Sequence, residues 1–118
     1  MSSAVIYTDL DGTLLDHHTY AFSEARTTLS TLLERGIPII PCTSKTRAET
    51  LILMQTMGID GPMIVENGAA IWVPLDWGLE RPEGSDSDAH AWCHSFGPSR
   101  GMIRRQLAIL NIEWGNRY

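Results

Sequence analysis

The sequence predicts an α/β fold built on a parallel sheet, and three observations carry that expectation. Short apolar, β-branched runs alternate with helix-period segments over residues 4–73. Glycines stand where the two helical segments should end, at Gly36 and Gly58. Polar residues able to do chemistry stand at the C-terminal end of each apolar run. Strand, helix, strand, helix, strand is the order of parallel strands joined by right-handed crossovers. A chain of 118 residues is enough for one compact domain and little more.

Taken in order, Val5, Ile6 and Tyr7 give residues 4–8 the β-branched and aromatic content of a short buried strand. It stops at Asp9-Leu10-Asp11-Gly12-Thr13. A helix is expected over 23–35, where Ala25, Leu29, Leu32 and Leu33 fall on one stripe. Residues 37–42 form the second strand, although Pro38 and Pro41 count against full pairing on both edges. Thr46 and Glu49 have the spacing of a capping box, so a second helix starts there and runs through Leu51, Met54 and Met57. Residues 62–65 make the third strand, and Asn67-Gly68 signals a hairpin into 69–73. Residues 74–91 hold Pro, Gly, Ser and Asp without periodicity and are expected to be a long connection. A last helix over 99–111 places Ile103, Leu107 and Leu110 on one face.

The totals exclude several function classes. A formal net charge of −5, with no cluster of Lys and Arg, argues against a nucleic-acid-binding surface. No apolar run approaches the ~18–20 residues of a membrane span, and the opening residues lack the basic and apolar regions of a signal peptide. Cys42 and Cys93 form neither a metal-ligand spacing nor a disulfide framework, so a reducing cytoplasm is expected.

The strongest chemical signal is the pair Asp9 and Asp11 directly after a buried strand. In a parallel sheet the strand C-terminal ends face the ligand crevice. Two carboxylates one residue apart can flank a single phosphoryl group there, one as nucleophile and the other as general acid and then base. Two anions beside a phosphate demand a cation, which implies Mg²⁺ with oxygen ligands. An Asp-Gly turn with no chemistry is the competing account; the preceding strand and the second motif weigh against it. That second motif is Thr43-Ser44-Lys45, where hydroxyls and backbone N–H groups at a helix N-terminus can hold phosphate. Lys45 is the only lysine of the chain and could add positive charge nearby; a plain helix cap with a solvated lysine is the alternative. Asn67 ends the third strand on the same edge and could hydrogen-bond substrate, or serve only the left-handed turn, and both can hold. His17 and His18 are expected on an exposed loop over the site, the four tryptophans in packing roles, and Arg100, Arg104 and Arg105 on a solvated face.

These residues resemble a known family. Asp9-Leu10-Asp11-Gly12-Thr13-Leu14-Leu15 is similar to the first motif of the haloacid dehalogenase (HAD) superfamily, and Thr43 matches its second motif by position. The runs 16–20, 42–49 and 64–71 resemble the mannosyl-3-phosphoglycerate phosphatase family within it. The resemblance implies a Rossmann-like parallel core of HAD type, incomplete, over residues 1–75, with a connection and the opening of an α/β cap domain over 76–118. It implies that Asp9 is the nucleophile, that Asp11 handles the proton, and that Asp9 and the backbone carbonyl of Asp11 hold Mg²⁺. Thr43 would grip the transferring phosphoryl group, with Ser44, Lys45 and Asn67 binding phosphate or substrate, a small sugar phosphate. The family also carries a later lysine and a later acidic motif, which have no match here. The chain is therefore expected to be the first part of such an enzyme, active or reduced to a phosphate- or protein-binding remnant, with an open sheet edge that invites self-association.

Overall fold

The computed structural model describes residues 4–114, and side chains through residue 110. Strand β1 (Ile6–Thr8) leads through a long loop to α1 (Arg26–Glu34), then β2 (Ile39–Pro41), α2 (Arg47–Met57) and β3 (Met63–Val65). The chain continues with β4 (Ala70–Pro74), β5 (Asp86–Ser87), β6 (Ala91–Ser95) and α3 (Arg100–Trp114).

β1 and β2 pair in parallel, Ile6 opposite Ile39 and Thr8 opposite Pro41. One parallel bridge, Cys42 to Ile64, joins the end of β2 to β3. The prolines explain why that seam is so short. Cys42 donates its N–H to Thr8 on the β1 side, so by alternation Pro41 presents its hydrogen-free nitrogen toward β3. The β2–β3 contact therefore begins only after Pro41, with the N–H of Thr43 donated to the carbonyl of Ile64 at 3.0 Å. The parallel α/β order expected for the first three strands is what the fold shows.

Beyond β3 the sheet turns antiparallel, in the order β3-β4-β6-β5. Residues 74–91, expected to be irregular, carry a 3-10 turn at Leu75–Trp77 and strand β5. Two residues are too few to show a period of two, and Asp86–Ser87 becomes a strand only by pairing with β6. α1 also starts later than expected, at Arg26, with Ala25 in the N-cap position and no capping side chain.

The core lies between the sheet and the two crossover helices. Leu10, Leu15, Leu29, Met54, Met63 and Val65 are each at most 3% exposed. α2 is held at both ends, by the reciprocal Thr46–Glu49 capping box and by Gly58 in the left-handed conformation. Gly61, at φ 137°, lies under Trp77, whose ring would stand 2.4 Å from an added Cβ. α3 differs: every described side chain from Arg100 to Leu110 is exposed, including Ile103, Leu107 and Leu110. Among the described residues no helix is long and apolar enough to cross a membrane.

Candidate active site

The end of β1 is a tight, pinned loop. Leu10 and Leu15 are 0% and 2% exposed and act as anchors on either side of it. The carbonyl of Leu10 accepts from the N–H of Thr13 and of Leu15, and Gly12 donates back to Leu15 at 2.9 Å. That reversal needs Gly12 at φ 76°, a conformation with little cost only for glycine. Burying the two leucines leaves Asp9 exposed and Asp11 half-buried on either side of Leu10. Asp9 is fixed through Oδ1, which accepts the N–H of Leu10 at 2.8 Å.

Thr43, at the end of β2, is buried and ties the strands together. Its carbonyl accepts the N–H of Asn67 at 3.0 Å, and its Oγ1 accepts the N–H of Lys45 at 3.1 Å. The β3–β4 turn is unusual: Glu66, Asn67 and Gly68 all have positive φ, at 52°, 57° and 85°. Asn and Gly tolerate this; Glu does so at a cost of about 1–2 kcal/mol. The turn is held by cross-strand bonds, the N–H of Glu66 to the carbonyl of Lys45 at 3.0 Å and that of Asn67 to Thr43. The expectation of a left-handed Asn-Gly turn is met, and the strain extends one residue further than the sequence indicated.

Asp9, Cys42, Thr43, Ser44 and Asn67 thus line one cleft of about 430 Å³, closed on one side by Ile64 and Gly68. Burial and the neighbouring Asp9 push the Cys42 thiol up, so it stays protonated in this cleft. Asp11 and Lys45 stand beside it as an ion pair, Lys45 Nζ lying 3.1 Å from Asp11 Oδ2. That hydrogen bond is the main reason the Lys45 ammonium is held above its ordinary range. Asp11 Oδ1 is buried and has no hydrogen-bond partner among the described residues. Lys45 also lines an apolar pocket of about 320 Å³, together with Leu15, Tyr20, Ile52 and Leu53.

Two carboxylates with an unsatisfied oxygen suit a hard cation that keeps waters and phosphate oxygens in its shell, as Mg²⁺ does. Among the described residues no cluster of three or more His, Cys, Asp or Glu could hold a metal by itself.

His17 and His18 are exposed with their rings edge-on at 5.3 Å. Trp92 is buried on the sheet, Trp72 lies under the guanidinium of Arg47, and Trp77 covers Gly61; the side chain of Trp114 lies outside those described. Arg100, Arg104 and Arg105 are exposed on α3. Two site features were missed in the sequence. The backbone of Glu66 gave no signal, because a left-handed glutamate follows no local rule. Tyr20 counted in the sequence only as part of the run 16–20, and its meeting with Lys45 is what places it at the site.

A family model described as haloacid dehalogenase-like hydrolase matches residues 6–80. A glucosyl-3-phosphoglycerate/mannosyl-3-phosphoglycerate phosphatase of Methanococcoides burtonii is 51% identical over 72 residues, 61% of this chain and 26% of that protein. A protein of the same description from Persephonella marina is 49% identical over 70 residues, 59% of this chain and 26% of its own length. The chain spans about a quarter of the length of these curated relatives. Among solved structures, a haloacid dehalogenase-like hydrolase from B. subtilis superposes with a TM-score of 0.58 at 24% identity, covering 92% of this chain and 33% of that one. The match runs from β1 past β4 and takes in every residue of the cleft, so the chain belongs to the haloacid dehalogenase-like hydrolases.

Proposed function

We propose that this chain carries the phosphoryl-transfer half of a sugar-phosphate phosphatase whose substrate is mannosyl-3-phosphoglycerate, hydrolysed to mannosylglycerate. The observation that carries the reading is the placement of Asp9, Thr43 and Asn67 at the ends of three adjacent strands around one cleft. Identity near one half to two phosphatases of glucosyl- and mannosyl-3-phosphoglycerate supports the substrate.

The chain's own residues divide the work as follows. Leu10 fixes Asp9 Oδ1, and Oδ2, which no described residue hydrogen-bonds, attacks phosphorus in line with the sugar oxygen. The P–O bond to the sugar breaks, its electron pair stays on the sugar oxygen, and Asp11 supplies the proton that oxygen takes, drawn from the Lys45 ammonium hydrogen-bonded to it at 3.1 Å. The Asp9 aspartyl-phosphate is then hydrolysed by a water whose proton returns to Asp11, freeing phosphate and Asp9. The Thr43 hydroxyl and the exposed Ser44 and Asn67 bind phosphoryl or substrate oxygens. Asp9 and the backbone carbonyl of Asp11 would hold Mg²⁺, which when bound neutralises charge on the transferring group.

The test is Mg²⁺-dependent phosphate release from mannosyl-3-phosphoglycerate, with Asp9→Asn as control. Release from the native chain that disappears in the variant supports the reading; equal background from both removes it. Two further readings are kept. Lys45 is paired with Asp11 and is not among the described residues that line the cleft, which keeps the reading of a phosphate-binding module without turnover. Phosphate binding by calorimetry with no release would select it. Release from other sugar phosphates but not from mannosyl-3-phosphoglycerate would instead assign a different specificity.

A further inference from the structure

We infer that Tyr20 is a positioning residue that holds the Lys45 ammonium against Asp11, an assignment that rests on the phosphatase reading for its catalytic meaning. Three features of the geometry converge on it. Lys45 Nζ lies 5.3 Å from the centroid of the Tyr20 ring and 3.1 Å from Asp11 Oδ2, so the ammonium has both an aromatic face and a carboxylate within reach. The backbone of Lys45 is independently fixed, its N–H on Thr43 Oγ1 at 3.1 Å and its carbonyl accepting from Glu66 at 3.0 Å. Only the side chain is left to be steered, and Tyr20 and Asp11 are the two groups its ammonium meets.

The loop that presents Tyr20 is built to do so. Tyr20 has φ 56°, the left-handed conformation an aromatic residue rarely takes. Asp16 imposes it: the Asp16 carbonyl accepts the N–H of Tyr20 at 2.9 Å, and the Asp16 N–H is donated to Ala21 at 2.7 Å. Asp16 Oδ1 accepts from the N–H groups of His18 and Thr19 and from the Thr19 hydroxyl. Tyr20 is 56% exposed, so packing in the core gives no account of the strained backbone. The Asp16 bonds hold that backbone, and the contact it presents is with the single lysine. Strain held in place by surrounding bonds is a mark of functional positioning. With Tyr20 in place, Lys45 and Tyr20 line the same apolar pocket, and the partner of Asp11 does not wander.

The test uses the chain labelled with ¹³C at the lysine ε-carbon, which gives one signal because Lys45 is the only lysine. An Overhauser effect from the Tyr20 ring and a ring-current shift of the Lys45 ε-protons are expected in the native chain. Tyr20→Phe keeps both. Tyr20→Asn removes both while keeping a residue that accepts the left-handed backbone, so loss of fold does not confuse the result. In the phosphate-release assay Tyr20→Asn lowers kcat by about fivefold with KM nearly unchanged, and Tyr20→Phe restores it. A Lys45 signal that is the same in the native chain and in Tyr20→Asn overturns the inference, whatever the assay gives. A Phe variant that behaves like Asn also overturns it, by assigning the effect to the hydroxyl. Absence of phosphate release together with an intact ring contact leaves Tyr20 holding Lys45 and sinks the phosphatase reading instead.

Discussion

α2 and α3 are both helices with apolar residues at helical spacing, yet one is part of the core and the other is bare. α2 buries Thr50, Met54 and Met57, begins with a complete capping box and ends on a left-handed glycine. α3 is longer, 15 residues against 11, and still leaves Ile103 47%, Leu107 46% and Leu110 38% exposed. An apolar stripe shows that a helix has a face to bury. It does not supply the surface that buries it. α2 has that surface because β2 and β3, between which it crosses, pair through Thr43 and Ile64 just above its N-terminus.

The largest effect that would sharpen the contrast is a truncation in each helix. Met54→Ala, at a position 2% exposed, should lower unfolding stability by about 2–5 kcal/mol. Leu107→Ala should change it by no more than about 0.5 kcal/mol. Urea unfolding measures both, and a large loss at Leu107 would mean that α3 is packed in solution. Next in size is the cap: Thr46→Ala removes the side chain that accepts from Glu49 and should cost about 1 kcal/mol, while Ser99→Ala ahead of α3 should cost less because no packed core depends on that helix. Amide exchange separates the helices without mutation. Protection should approach the global limit in α2 and remain low in α3; equal protection would break the comparison.

The smallest effect is on the acid side. The Thr46 side chain and then its backbone N–H hold the Glu49 carboxylate below its ordinary range. A carboxylate lowered by folding contributes stability above its unfolded pKa of about 4.3 and loses it as pH falls through the lower, folded value. Glu49→Gln should therefore flatten the fall of Tm between about pH 5 and pH 3. α3 has no acidic residue in its first turn, so it adds nothing comparable there. An unchanged acid limb in Glu49→Gln would remove the capping box from the account.

Local chemistry was legible in the sequence. The parallel order of β1, β2 and β3 followed from alternation of apolar runs with helical segments, and the capping box and Gly58 followed from residue types whose preferences act within one turn. Asp9, Thr43 and Asn67 could be placed on one edge because side-chain position at a strand end is a property of parallel topology, and one cleft now holds all three. The sequence did not determine whether a neighbour exists for each face, because pairing energy comes from residues distant along the chain. β5 exists only against β6, and α3 stays exposed although its pattern was correctly seen. Lys45 was legible as a cation near the site. Its commitment to Asp11, and the turning of Tyr20 to meet it, required the Asp16 loop and the end of β2 to come together in space.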